Sequence, residues 1–194
     1  MKSNQERQKH AIDEYVKITN YINNTAFITE HEPDKGDGCD AILKSGKAQI
    51  ALEHTTVDMF ENQRGNEAIF SRQTERRPSF IPVVPNFDKT LKSIIDKKSL
   101  RLKSYQTSFK TGLLIESNDF QITNASEICS AFWKLASDNL EKVRTFDDVY
   151  LITTAPTAKP LLYPIKIGEK LGKEALAGEW HVYRIKQNKL NGYT

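Results

Sequence analysis

Cysteine is nearly absent from this chain: Cys39 and Cys129 are the only two among 194 residues. Two thiols so far apart build neither a disulfide framework nor a zinc site, so both are expected as core thiols. Long apolar runs are missing too. None approaches the ~18 residues of a membrane span, and the opening MKSNQERQKH has no apolar stretch of the kind a signal peptide needs. There is no internal repeat and no low-complexity tract. Charge imbalance is small, with 28 Lys and Arg against 25 Asp and Glu and a net charge of +3. That permits a polyanionic partner, although a protein dedicated to coating DNA is usually more basic. These absences predict a reduced, soluble, cytoplasmic protein with no membrane association.

Hydrophobic residues make up 38% and aromatic residues 9%, enough to build a core. The length suits a single domain over 1–194, with a core at about 4–155 and a C-terminal extension at 156–194. Residues 4–23 carry Ile12, Tyr15, Val16, Thr19 and Ile22 on one helical face. TAFITE at 25–30 reads as a short strand, and HEPDKGDG at 31–38 as a turn-rich loop. Residues 39–44 and 47–55 read as two strands joined at Ser45-Gly46. A helix is expected over 61–76, ending before Pro78, and a basic amphipathic helix over 86–106. Apolar strands at 111–117 and 148–155 bracket a helix at 125–143, and 178–186 is a candidate edge strand. Apolar strands separated by helices imply an α/β domain whose mixed central sheet is flanked by helices.

AQIALEHTTVD, residues 48–58, begins as a buried strand and then places Glu53 and His54 where more apolar residues belong. Strand alternation puts Gln49, Ala51, Glu53 and Thr55 on one face, and Ile50, Leu52 and His54 on the other. A Ser45-Gly46 hairpin loop sets Asp40 opposite Ala51 and diagonal to Glu53, about 7–8 Å away. Cys39, Ala41, Leu43, Ala48, Ile50 and Leu52 then form an apolar face to pack on a helix. Two carboxylates aimed at one pocket repel each other, and a hard divalent cation such as Mg²⁺ or Mn²⁺ resolves the conflict. Such an ion activates water and neutralises phosphodiester charge. The simpler alternative is a pair of strand-end acids with no chemical role.

A loop containing Pro33-Asp34, then CDAIL, a short turn and IALEHT resemble the PD-(D/E)XK nuclease superfamily, the restriction-endonuclease-like fold. The family motif is an Asp at one strand, then an acidic residue, any residue and Lys on the next. Asp40 matches the first acid and Glu53 the second. The resemblance implies a restriction-endonuclease-like core, hydrolysis of nucleic-acid phosphodiesters, and Mg²⁺ or Mn²⁺ held by Asp40 and Glu53. It adds the backbone carbonyl of His54 to the metal shell. DNA stands ahead of RNA as substrate, and a homodimer is the arrangement of many cleaving members.

The sequence departs from the motif at Thr55, which stands where Lys is expected. Lys44 and Lys47 do not substitute, because Lys47 lies ~20 Å from the site along its strand. Gln63 and Arg64, on the following helix, are the nearest candidates. The departure opens a second reading, a nuclease-derived module that binds nucleic acid or a partner protein without cleaving.

The densest basic run comprises Arg72, Arg76 and Arg77, then Lys89, Lys92, Lys97, Lys98, Arg101 and Lys103. It is either a solvated helix surface or a rim that neutralises phosphates without reading sequence. Arg64, Arg76, Arg77, Lys89 and Lys92 are the expected nucleic-acid contacts.

Overall fold

The computed structural model describes residues 4–30, 39–56, 87–104, 109–117, 145–154, 159–171 and 186–192. The first of these segments opens with helix α1, Asn4–Asn23. Its buried face is formed by Ala11, Ile12, Tyr15, Val16, Ile18 and Thr19, the stripe that helical periodicity predicts. The helix stops at Asn24, whose positive φ of 52° is the left-handed C-terminal cap conformation that Asn tolerates. Asn20 then ties the exit down, donating from Nδ2 to the Phe27 carbonyl and accepting the Phe27 N–H at Oδ1, at 2.8 and 2.9 Å.

The chain next forms strands β1 (Ile28–Glu30), β2 (Ala41–Ser45) and β3 (Ala48–Thr56), an antiparallel meander. Helix α2, Phe87–Ser104, comes next among the described residues. It is followed by β4 (Lys110–Ser117), β5 (Asp148–Thr153), β6 (Leu161–Ile167) and the two-residue β7 (Lys170–Leu171). All seven strands lie in one sheet in chain order. The central pairs β3–β4 and β4–β5 are parallel, and the outer pairs are antiparallel. The protein is thus mixed α/β, and α1 packs across the face formed by Ala41, Leu43, Leu52, Leu114, Tyr150, Ile152 and Leu162.

Two findings differ from the sequence reading. The β2–β3 loop is Gly46-Lys47, so Ser45 pairs with Ala48 and Ala41 with Leu52. Gly46 takes the positive φ of 58° at the first loop position, which favours glycine in a two-residue hairpin. Moving the loop by one residue slides the register by two, which preserves every facing assignment but sets Asp40 in line with Glu53 itself. The second finding is β6, for which the sequence carries no ordinary strand pattern. Pro164 interrupts it and cannot donate to a ladder. The pairing with β5 skips Ile165 there, as Tyr150 faces Pro164 and Val149 faces Lys166, a bulge that accommodates the missing N–H.

The helices expected at 61–76 and 125–143 lie outside the described residues. So does the strand expected at 178–186, except residue 186, which opens a helical stretch at 186–190. No helix among the described residues is long and apolar enough to cross a membrane.

Candidate active site

Glu53 is fully buried, at 0% exposure, although it is a carboxylate near the end of a central strand. The alternation of β3 drives it there: Ala51 and Glu53 point to one face, Leu52 and His54 to the other. Burying an unpaired charge is prohibitive, so the partners of Glu53 decide what the site is.

Those partners come from α2. Ile95, Ser99 and Leu102 are buried and mark its inner stripe, and Lys98 and Arg101 flank that stripe one turn apart. Lys98 Nζ donates to Glu53 Oε2 at 2.7 Å and to Asp40 Oδ2 at 2.9 Å. One ammonium therefore bridges both acids. Arg101 lies 3.9 Å from each carboxylate, Nη1 toward Asp40 and Nε toward Glu53. Asp40 is further fixed by the His54 backbone N–H, which donates to Oδ2 at 2.7 Å. In an extended strand the C=O of a residue points to the same side as its N–H, so the His54 carbonyl lies on the β2 side of β3. Burial pushes the Asp40 carboxyl upward. The Lys98 ammonium, the His54 N–H and the Arg101 guanidinium outweigh that push and hold it below its ordinary value.

The His54 ring takes no part in this cluster. It turns to the α1 face, where Nε2 lies 3.0 Å from Glu116 Oε2. Thr154 donates its hydroxyl to the other Glu116 oxygen. Three buried polar side chains from β3, β4 and the end of β5 thus meet behind the acidic pair. Burial raises the Glu116 pKa, but the bonds from His54 and Thr154 and the nearby charges of His54 and Arg7 bring it below the ordinary value.

The structure brings Asp40, Glu53 and the His54 backbone together, and leaves Thr55 half-buried one turn of the pleat beyond Glu53 on the same face. Lys98 and Arg101 were read in the sequence only as part of a basic run. Their signal was present as two cations three residues apart beside the apolar stripe of a helix. Nothing in the sequence said which strand that helix would cover. Arg64, Arg76 and Arg77 lie outside the described residues, as does Gln63. Lys89 and Lys92 fall on α2. Glu14 on α1 pairs with Lys17 at 3.2 Å.

Comparison of the chain with protein-family models, with curated proteins and with solved structures finds no match in any of the three. The functional reading therefore rests on the site itself.

Proposed function

We propose that this protein is a metal-dependent phosphodiester hydrolase acting on nucleic acid, DNA ahead of RNA, with Asp40 and Glu53 as its acidic pair. One observation carries the reading: the half-buried carboxylate of Asp40, just before β2, and the buried carboxylate of Glu53 on β3 converge on a single cation, the Lys98 ammonium, at 2.9 and 2.7 Å. The order of elements supports it as well. A helix, a three-stranded antiparallel meander, a second helix and a strand parallel to β3 is the arrangement expected of a restriction-endonuclease-like core.

The donor set suits a hard cation. Mg²⁺ ordinarily takes one or two carboxylates and completes its shell with waters and substrate phosphate. Asp40, Glu53 and the His54 carbonyl would meet that need, although no group of three or more His, Cys, Asp or Glu side chains among the described residues is placed to hold a metal ion. A bound Mg²⁺ or Mn²⁺ would supply Lewis acidity toward the phosphodiester and a more acidic water. The protein supplies the rest. Asp40 is oriented by the His54 N–H, and Glu53 by its strand. Lys98 takes the part that the family motif gives to the lysine two positions after Glu53. It reaches the same acids from α2, which frees position 55 to be Thr. Arg101 adds a second positive charge facing the incoming phosphate, and Lys89 and Lys92 extend the basic character of α2.

A second reading has its own support. Two carboxylates and two cations cancel in charge, as they would in a nuclease-derived module that binds nucleic acid or a partner protein without cleaving. Incubation with plasmid, single-stranded DNA and RNA, each with Mg²⁺, Mn²⁺ or chelator, separates the two. Metal-dependent cleavage that is lost in Glu53→Gln supports the hydrolase. Salt-sensitive binding without cleavage assigns the module.

A further inference from the structure

We infer that Lys98 is an exchangeable counter-ion, bound between Asp40 and Glu53 until a divalent cation displaces it, and then turned outward to the phosphodiester. The inference rests on the proposed metal site and deepens it. Lys98 Nζ bonds both carboxylates at once, so it holds the ground that a cation shared by the same two acids would need. An ammonium and a dication cannot both lie against the same pair of oxygens without strong repulsion. Arg101 stands farther off, at 3.9 Å from each acid, so the repulsion it meets is weaker.

The position of Lys98 also indicates where it goes. Its side chain is 15% exposed and the Glu53 side chain only 1%, so the lysine lies on the solvent side of the buried acid. A four-carbon stem with a compact ammonium head is suited to such a movement. Displaced outward, the ammonium enters the direction from which a phosphate must approach. Divalent cation and nucleic acid then favour the same outward state of Lys98, so each tightens the binding of the other by the same factor. The consequence is a site that binds metal weakly by itself and strongly with its polyanionic substrate.

The test uses the full chain titrated with Mn²⁺ alone, followed by thermal unfolding and calorimetry, for wild type and Lys98→Met. The variant removes the competing charge and should bind Mn²⁺ at least about tenfold more tightly, within the usual range of coupling between sites. A second measurement needs no variant. Acetylation of the wild type by acetic anhydride, read by mass spectrometry, should become faster at Lys98 when Mn²⁺ is added, with the exposed neighbour Lys97 as internal reference. Equal or weaker Mn²⁺ binding by Lys98→Met, or unchanged Lys98 labelling at a Mn²⁺ concentration that stabilises the wild type, overturns the exchange and leaves the metal site standing. No stabilisation of either protein by millimolar Mn²⁺ overturns the metal site and the exchange together.

Discussion

Two carboxylates are buried toward the same end of the sheet, on opposite faces. Glu53 lies beneath α2 and Glu116 beneath α1, at 0% and 2% exposure. Glu116 is hydrogen-bonded from within the sheet, by the His54 ring on one neighbouring strand and the Thr154 hydroxyl at the end of the other, with the charge of Arg7 on α1 nearby. Glu53 is held from outside it, by the long side chains of Lys98 and Arg101 on a separate helix. The His54 and Thr154 side chains have little reach from their backbones, whereas a lysine stem can swing away while its helix stays in place. The comparison separates a carboxylate built to stay paired from one whose partner is able to leave. It also explains how His54 serves both, its ring bonded to Glu116 and its backbone N–H to Asp40.

The largest effect should come from breaking the exchangeable side. Glu53→Gln keeps the shape but removes a charge that the proposed metal site requires. Cleavage of plasmid in Mg²⁺ should fall by more than ~100-fold, beyond what loss of an outer-shell partner costs. Because Lys98 already neutralises Glu53, the substitution should also destabilise the fold by about 1–3 kcal/mol, the cost of a charge-assisted hydrogen bond. A variant that cleaves like wild type would reduce Glu53 to a strand-end acid.

Breaking the fixed side should cost stability more than chemistry. Glu116→Gln keeps an acceptor for the Thr154 hydroxyl but removes the charge, and the loss should be about 1–3 kcal/mol in urea unfolding. Cleavage should decline far less than in Glu53→Gln. A decline as large as that of Glu53→Gln would show that the two faces are not functionally distinct.

Acid should report on both faces together. Asp40 and Glu116 each titrate below the ordinary value in the fold. Each therefore contributes its full stability above the unfolded-chain pKa of about 4 and loses it as pH falls through the lower folded value. Circular dichroism should show stability declining below about pH 4. Asp40→Asn and Glu116→Gln should each make that decline shallower, and an unchanged slope in both would mean that neither pair is formed in solution.

The smallest effect is reserved for position 55. With Lys98 present, Thr55→Lys should be tolerated and change cleavage little. In a Lys98→Met background the same substitution should restore part of the activity, because it returns an ammonium to the face of Glu53. Failure of that rescue in a folded protein would separate Lys98 from the motif lysine.

Much of this arrangement was legible beforehand in particular residues. The apolar stripe from Ile12 to Ile22 marked α1, and the alternation through Leu52, Glu53 and His54 placed the acid and the imidazole on opposite faces. Parity survived even though the hairpin loop was read one residue early, because sliding the register by two moves no side chain across the sheet. Strand β6 was not legible, because Pro164 and a buried Lys166 contradict an ordinary strand pattern and are tolerated only through the bulge and the carbonyls of Phe146 and Asp147 that receive the lysine.

The local pattern alone was enough to determine that Asp40 and Glu53 share a face, since side-chain direction along a strand depends only on counting by two. It could not determine what neutralises them. Lys98 is 45 residues from Glu53 in the chain and Glu116 is 62 from His54, and no periodicity reaches across such distances. Which cation meets which buried acid was decided by how α2 and β4 lie against β3, because a charge in the interior takes its partner from whatever element the packing brings within hydrogen-bond reach.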